Sequence, residues 1–341
     1  MQQFETGITA RGFFESDGIF VSGSARHAAV SNARSLHDVI PTLPFCAIMT
    51  DDPETILNYA AERFEKEGKS ALVTLVDIRG GSARALGAQM AVGMDGGYCG
   101  YVSGGCTEAA VAAEAVDAMK RGADRFLLLG EGSTFFDIQL PCGGGITLAI
   151  HVLKDVGPLR HVLDSLRSRK VGALCYDAVK QSITDIEDTE NGASYIRRYR
   201  PRPRLVICGR GIELDCATRV ACHSGFETFA FDGQSEPRFD EALVDADTAV
   251  ALLFHDLAQE LPFLKVALQR DPFYIGALGS KRTHEKRREA LREHGYSDHD
   301  MDRIKAPIGL FGPARDGNAL ALSILADVAA ARSTMKFDGH V

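Results

Sequence analysis

The second half of the chain alternates short apolar runs with segments of helical spacing. The runs that predict buried strands are Leu205–Cys208, Phe226–Phe231, Thr248–Phe254 and Phe273–Ala277. The segments with helical spacing are Ile212–His223, Leu261–Gln269, Thr283–His294 and Asn318–Arg332, the last apolar on nearly every side. Strands that alternate with helices in this way predict a Rossmann-like domain with a doubly wound parallel sheet.

The first half of the chain predicts a separate α/β domain that is rich in glycine and cysteine. Helical spacing appears in Asp52–Glu67, Thr107–Arg121 and Leu159–Arg169, and strand-like runs in Ala71–Val76, Arg125–Leu129 and Ile146–Leu153. A glycine-rich stretch extends from Gly80 to Gly105. Over the first 50 residues the pattern is too weak to predict elements.

These patterns divide the chain into four predicted parts. They are an N-terminal extension (1–50), a first domain (51–183), a linker (184–203) and the Rossmann-like domain (204–335). The linker is predicted because Thr184–Ser194 is polar and acidic, and because Tyr195–Arg204 contains five arginines and two prolines. Proline in such a setting disfavours regular structure.

Composition narrows the classes of protein. Of the 341 residues, 45% are hydrophobic and 25% are charged, which is ordinary for a globular protein and excludes a disordered chain. The formal charge of −8 disfavours nucleic-acid binding, which needs a basic face. Neither a membrane span nor a secretory signal is expected. The eight cysteines form no CxxC pair and are typical of reduced thiols, so the cytoplasm is the expected compartment.

A partial dinucleotide-binding fingerprint follows the first strand of the Rossmann-like domain. Gly209 and Gly211 open a helix, and Asp232 ends the next strand about 20 residues later. Leu214 replaces the small third residue that lets helix and strand pack closely. The pattern therefore supports the fold more than it supports a bound nucleotide. One alternative is an NAD(P)-dependent oxidoreductase; the other is a turn that binds no dinucleotide.

Two cysteines of the first domain lie beside glycines. Gly104, Gly105, Cys106 and Glu108 stand where a glycine-rich loop enters a helix. A helix start favours an anion and lowers the pKa of a thiol there. The alternative is a small buried cysteine in a tight turn.

The second cysteine, Cys142, precedes Gly143 and Gly144, whose lack of side chains would let a ligand approach the backbone. With Cys106 it suggests a soft-metal or sulfur site, and not a structural zinc site, which needs four close ligands. A sharp turn between strands would explain the same residues.

Basic residues cluster at the start of a predicted helix in the Rossmann-like domain. Gly279, Ser280, Lys281 and Arg282 form its N-terminal end and predict a phosphate site. Farther along, Lys286, Arg287 and Arg288 fit a solvated helix face equally well. His255 follows a strand directly, at the edge where open α/β sheets bind ligands, although a structural role there is as plausible.

Several of these motifs together resemble the xanthine dehydrogenase accessory protein family, XdhC/CoxI. They are GGSARALGAQMAV (80–92), YVSGGCTEAAV (101–111), LPCGGGI (140–146), FYIGALGSKRTHEKRREAL (273–291) and a final segment at 304–330. The resemblance implies a glycine- and cysteine-rich domain followed by a Rossmann-like domain. It also implies a maturation factor for molybdenum hydroxylases rather than an enzyme. Such a factor binds the molybdenum cofactor in its molybdopterin form, protects it, supports its sulfuration and inserts it into the apoenzyme.

The resemblance carries over to particular positions of this chain. They are Gly104, Gly105, Cys106, Glu108, Cys142, Gly143, Gly144, Tyr274, Gly276, Gly279, Ser280, Arg282 and, less directly, Arg315. Cys106 and Cys142 are the residues expected near molybdenum. Two features depart from the family pattern: Arg210 and Glu213 place charge at the Rossmann turn, and the loop at 309–317 differs.

The leading hypothesis is a cytoplasmic chaperone that holds the molybdenum cofactor between its two domains. The expected partners are the apo-subunit of a molybdenum hydroxylase and a cysteine desulfurase. A homodimer is expected because twofold assemblies are the commonest. A dinucleotide in the Rossmann-like domain stays open. The alternatives are the oxidoreductase and a thiol-based sulfur-transfer protein that uses Cys106 and Cys142.

Overall fold

The first domain is built on a six-stranded mixed sheet. The structure is a computed structural model that describes residues 47–105, 107–130, 143–185, 195–234 and 239–335. The strands are β1 (Ala47–Ile48), β2 (Ser70–Arg79), β3 (Gln89–Gly93), β4 (Tyr98–Gly100), β5 (Arg125–Gly130) and β6 (Gly145–Val152). Their order across the sheet is β1-β4-β3-β2-β6-β5, and β1 runs parallel to β4 while the other neighbouring pairs are antiparallel.

Three helices cover the two faces of this sheet. They are α1 (Pro53–Glu67), α2 (Glu108–Arg121) and α3 (Gly157–Arg167). Val111 and Met119 of α2 pack against Val73 in one core, while Leu72 faces α1 and α3 in the other. Successive side chains of β2 therefore point into opposite cores. This alternation is expected of a strand that is buried on both faces. The predicted α/β character of the first half is confirmed.

A small antiparallel sheet completes the first half and corrects the predicted linker. Its strands are β7 (Gly172–Asp177), β8 (Ser182–Thr184) and β9 (Tyr195–Tyr199), in the order β8-β7-β9. The strand β9 lies inside the segment predicted as a linker. Tyr195, Ile196 and Tyr199 are buried there while Arg197 and Arg198 are partly exposed. Aromatic and β-branched residues favour a strand, and the interspersed arginines hid this preference.

The second half forms a five-stranded parallel sheet, as the sequence predicts. Its strands are β10 (Arg204–Gly209), β11 (Glu227–Phe231), β12 (Thr248–Leu253), β13 (Tyr274–Ala277) and β14 (Ile304–Lys305). The order is β11-β10-β12-β13-β14, and every neighbouring pair is parallel. The chain leaves β10 to one side for β11 and then crosses to the other side for β12. This switch opens a crevice at the carboxyl ends of β10 and β12.

Helices cover both faces of the parallel sheet. They are α4 (Gly211–Cys222), α5 (Leu257–Gln269), α6 (Lys281–Glu293), α7 (Asp298–Asp302) and α8 (Gly317–Thr334), with a short 3₁₀ helix at Glu241–Leu243. Leu205 and Ile207 pack against α4 and α8, whereas Val206 and Cys208 pack toward α5 and α6. The doubly wound arrangement is confirmed. Among the helices described, none is both long and apolar enough to cross a membrane.

The first half of the chain contacts the amino edge of the parallel sheet through ion pairs. Arg169, in the turn between α3 and β7, donates to both carboxylate oxygens of Asp245 at 2.8 and 2.9 Å. The buried Asp247 accepts from Arg332 at 2.5 Å and lies 2.9 Å from Arg200 Nε. Asp247 directly precedes β12, and Asp245 lies two residues earlier. This contact leaves the carboxyl edge of the parallel sheet free for a ligand.

We expect Asp247→Asn to lower the free energy of unfolding by about 2 kcal/mol, because it weakens charge-assisted contacts to two arginines. Asp271→Asn is the matched control, since that side chain is 95% exposed and pairs with Arg303 at the surface. The control is expected to change stability by less than about 0.5 kcal/mol. Urea unfolding measures both, and equal losses would contradict the prediction.

Candidate functional site

Two glycine loops of the first domain pack backbone against backbone. A Cβ atom on Gly144 would lie 2.2 Å from the carbonyl oxygen of Gly81 and 2.6 Å from that of Arg79. Gly80 has φ +73° and touches Gly144 at 3.5 Å by the same measure. Gly144 is buried, while Gly143 is exposed. The close approach therefore explains Gly144 without a ligand, and Gly143 is the member that a ligand can reach.

The loop before α2 presents bare backbone to the surface. Gly104 and Gly105 have φ of +101° and +103°, and both are exposed. A Cβ on Gly104 would lie 3.3 Å from the Cβ of Ala83, so this loop touches the glycine loop at 80–84. Glycine has no side chain to cover its backbone, so a bound group can approach this exposed segment. The Gly105 amide is itself directed to the carboxylate of Glu108. Of the predicted site residues, these two have the geometry of ligand-binding glycines.

Glu108 shapes this loop from beneath. Its buried carboxylate accepts from Val102 N at 3.0 Å, Ser103 N at 2.8 Å and Thr107 N at 3.1 Å. Burial raises the pKa of Glu108, but the hydrogen bonds donated by the loop outweigh it, and the net pKa lies below its ordinary value. The side chain is thus engaged by its own loop, and its contribution to a site is to fix Ser103–Thr107.

The two predicted cysteines, Cys106 and Cys142, lie outside the described residues. In the portions of the chain that the structure describes, no three histidine, cysteine or acidic side chains converge as a metal site. Their proximity to molybdenum therefore stays a prediction, as does their proximity to each other.

The Rossmann turn is filled by the protein itself. A Cβ on Gly209 would lie 2.7 Å from Leu253 Cβ, so the glycine is required by the neighbouring strand β12. Gly211 has φ +66°, which glycine adopts at no steric cost. Arg210 donates through Nε to the carbonyl oxygen of Asp232 at 3.1 Å, which ties the turn to the end of β11. Both glycines thus have structural explanations.

A cavity of about 750 Å³ opens at the carboxyl edge of the parallel sheet. Glu213 and His255 line one side, and their side chains are 3.2 Å apart (His255 Nε2 to Glu213 Oε1). Gly279 and Ser280 line another side, and the loop 307–314 closes the third. The volume suits a ligand of cofactor size. Every described residue that lines the cavity belongs to the Rossmann-like half.

The N-terminus of α6 reaches this cavity. Ser280 caps the helix by accepting from Thr283 N at 3.3 Å, and the first turn contains Lys281 and Arg282 but no acidic residue. Both basic residues are exposed. Free backbone N–H groups, the helix dipole and two cations together favour an anion. The structure thus brings together His255, Gly279 and Ser280, with Lys281 and Arg282 adjacent in sequence.

The cleft between the two halves lies elsewhere. A cavity of about 580 Å³ is lined by Thr50–Thr55, Arg197–Pro203, Gly225 and Arg332. It sits at the amino edge of the parallel sheet, because Gly225 precedes β11 and Arg332 ends α8. None of the residues predicted for cofactor binding lines it. Neither of these two cavities is lined by described residues of both the glycine loops and the N-terminus of α6.

Each half of the chain matches a known family of protein domains. Residues 64–130 match the XdhC and CoxI family, and residues 205–328 match the XdhC Rossmann domain. A molybdenum cofactor insertion chaperone of Escherichia coli strain K12, PaoD, is 48% identical over 293 residues, covering 85% of this chain and 92% of that protein. The chain belongs to the XdhC and CoxI family.

A solved structure supports the fold of this family member. The crystal structure of a xanthine dehydrogenase from Bacillus halodurans superposes with a TM-score of 0.65 at 20% identity. The match covers 84% of this chain and 97% of that one. At this identity the likeness concerns the fold.

Other residues singled out by the XdhC resemblance have structural partners. Tyr274 donates to the carboxylate of Asp327 at 2.6 Å inside the core. Gly276 is packed so closely that a Cβ would lie 2.6 Å from Ile308 side-chain atoms. Arg315 is exposed in the loop before α8. Tyr274 and Gly276 therefore support the floor of the carboxyl-edge cavity rather than lining it.

A buried ion pair next to the cavity is not evident from composition. Arg287 of α6 is fully buried, pairs with the buried Glu260 of α5, and donates to the carbonyl oxygen of Leu278 at 2.8 Å. Burial raises the pKa of Glu260 against the lowering effect of Arg287. The pair holds the segment that leads into Gly279. The sequence does contain one indication of this pair. Arg287 lies four residues before the apolar Leu291, so both side chains fall on the same, buried face of the helix.

We expect Glu108→Gln to destabilise the protein by about 2 kcal/mol at pH 7, because the loop loses charge-assisted hydrogen bonds. Since the folded pKa of Glu108 lies below its ordinary value of 4.5, its stabilisation is present above that value. It is lost as the pH falls through the lower folded pKa. The difference in unfolding free energy between parent and variant should therefore shrink in acid.

Glu289→Gln, on the exposed face of α6, makes the same chemical change at the surface and is the matched control. Urea unfolding at several pH values measures both variants. A Glu108→Gln difference that is independent of pH would count against the assignment.

Proposed function

We propose that this protein is a molybdenum cofactor insertion chaperone for a molybdenum hydroxylase. The observation that carries the proposal is the 48% identity to PaoD over 92% of that chaperone. The cofactor is then cargo that the protein binds and passes on, and the protein is not an enzyme. Cytoplasmic location is part of the same proposal.

The carboxyl-edge cavity fits the phosphate end of such a cargo. Lys281, Arg282 and the free N–H groups of α6 supply positive potential where the cavity meets the helix. The backbone of the half-buried Gly279 and the exposed Ser280 suits the polar edge of a pterin, which hydrogen-bonds to amides. A ligand seated in this cavity of about 750 Å³ would lose part of its contact with solvent and with oxidants in solution.

The apolar mouth of the cavity supports a protein partner. Leu310 and Phe311 are 58% and 55% exposed in the loop that lines the cavity. Large apolar side chains exposed together are typical of contact surfaces. We assign this mouth to the hydroxylase apo-subunit, because insertion requires that the client reach the cargo. A cysteine desulfurase as a further partner and a homodimeric assembly stay proposals of the same hypothesis.

The finer proposal concerns sulfuration. Cys106 and Cys142 flank the glycine loops in sequence, and their thiols suit a metal centre that is receiving a sulfur ligand. In the sequence, Cys106 directly precedes Thr107, the N-cap residue of α2. The expected role is to keep the cofactor in a state that a desulfurase can modify.

We expect isolated cofactor, titrated anaerobically, to bind this protein with near-stoichiometric saturation, while NADH and NADPH in parallel titrations do not bind. Arg282→Gln should weaken cofactor binding about tenfold, because a charge-assisted contact to phosphate is lost. Arg292→Gln, at the other end of α6, is the control and should bind as the parent does. Nicotinamide binding without cofactor binding would overturn the proposal in favour of the oxidoreductase.

We expect Cys106→Ala and Cys142→Ala to reduce cofactor retention and activation of the hydroxylase, whereas Cys222→Ala, an exposed thiol on α4, should not. Cofactor content after gel filtration and the activity of the reconstituted client are the two measurements. Full retention and full activation in the double variant would contradict the role of these cysteines.

A further inference from the structure

Two buried polar atoms beside the glycine loops of the first domain have no hydrogen-bonding partner within the described part of the chain. They are Arg84 Nε and Thr107 Oγ1. Leaving a buried donor unsatisfied costs about 1–3 kcal/mol, so a protein rarely retains one without a use for it. Neither residue belongs to the sets predicted from the sequence.

Arg84 is held in place without being neutralised. Its Nη1 donates to the hydroxyl of Tyr101 at 3.0 Å, and the guanidinium carbon lies 4.1 Å from the centroid of the same ring. Within the described residues, a carboxylate oxygen of Asp51 lies 3.8 Å from Nη1, and the Asp51 side chain is 69% exposed. An exposed pair at this distance offsets little of the charge. The guanidinium thus keeps attraction for a further anion.

Thr107 occupies the N-cap of α2 but does not cap it. The residue is only 5% exposed, and its hydroxyl makes no hydrogen bond to the first turn. Glu108 and Ser103 accept from Thr107 N instead, at 3.1 and 3.3 Å. The hydroxyl is therefore free to donate to another group at a helix N-terminus, where the dipole favours negative charge.

Both residues belong to one small region. Arg84 is bonded to Tyr101, Ala83 touches the position of Gly104, and Thr107 is bonded to Ser103. The exposed left-handed backbone of Gly104 and Gly105 lies in the same loop. The region thus combines a fixed cation and an unsatisfied hydroxyl beside the exposed backbone of Gly104, and these donors suit an oxyanion.

We propose that Arg84 and Thr107 form an oxyanion-binding site in the first domain, separate from the carboxyl-edge cavity. The site takes a tetrahedral or metal-oxo oxyanion, and two parts of a molybdenum cofactor have that chemistry: its phosphate and its oxygen-ligated metal. The assignment to the cofactor rests on the proposed function, whereas the oxyanion site itself rests on the donor set alone.

The test uses the full chain with three probes in separate titrations: inorganic phosphate, molybdate and isolated cofactor under anaerobic conditions. Calorimetry and the thermal unfolding midpoint report binding. We expect Arg84→Gln to weaken binding of one of the two simple anions and of the cofactor about tenfold or more, and Thr107→Val about threefold to tenfold. The anion that is affected identifies which end of the cofactor the site takes.

Two features keep the test decisive. Thr107→Val removes an unsatisfied hydroxyl at nearly constant shape, so the ligand-free variant should be as stable as the parent or more so, even if Arg84→Gln disturbs the packing on Tyr101. Arg121→Gln, on the exposed C-terminal turn of α2, is the charge-matched control and should bind as the parent does.

The outcomes separate this inference from the proposed function. If the parent binds cofactor and both variants bind it and both anions equally well, the oxyanion site is wrong and the chaperone proposal stands. If the parent binds a simple anion through Arg84 and Thr107 but does not bind cofactor, the site stands and the chaperone proposal fails. Binding of none of the three probes overturns both.

Discussion

The arrangement of the molecule depends on a cluster of ion pairs at the amino edge of the parallel sheet. Asp245 and Asp247 lie in the turn that leads into β12. They pair with Arg169 of the first half, Arg200 of the connection and Arg332 at the end of α8. Asp247 is largely buried, so its charge must be paired there. Because this contact uses the amino edge, the carboxyl edge stays open, and that edge is where doubly wound sheets bind ligands.

Buried charged side chains also fix two loops whose exposed surface consists mainly of backbone. Glu108 gathers the amides of Val102, Ser103 and Thr107 beneath Gly104 and Gly105. Similarly, the Arg287–Glu260 pair holds the carbonyl of Leu278 beneath Gly279. In both cases an ionic group that looks available in the sequence is turned inward. The groups left to contact a ligand are backbone atoms, a few cationic side chains and hydrogen-bond donors without partners among the described residues. Such a surface is suited to binding an anionic molecule.

The sequence predicts the second half well and the first half less completely. Strong alternation of apolar runs and helical spacing placed β10, β12, α4 and α8 to within a few residues. The strands β3 and β4 lie in a stretch predicted only as glycine-rich, because β4 spans three residues and ends in a glycine. The strand β9 was hidden by arginines whose stems accompany buried tyrosines. In each case tertiary packing, and not local preference, decides the element.

For single glycines of the candidate sites, too, the sequence does not distinguish a packing role from a binding role. Glycine is required at Gly144, Gly209 and Gly276 because another part of the chain lies where a Cβ would be. The motifs around these three glycines are therefore explained by packing. Gly104 and Gly105 have positive φ and are exposed, and a Cβ on either would meet only a side-chain atom, at 3.3 and 4.0 Å, so their motif is compatible with a bound group. Nothing in a run such as SGGC or CGGG distinguishes these two cases, because both demand the absence of a side chain. Only the distances around each position do so, and they concentrate the candidate binding surface of the first domain at the loop between Tyr101 and Thr107.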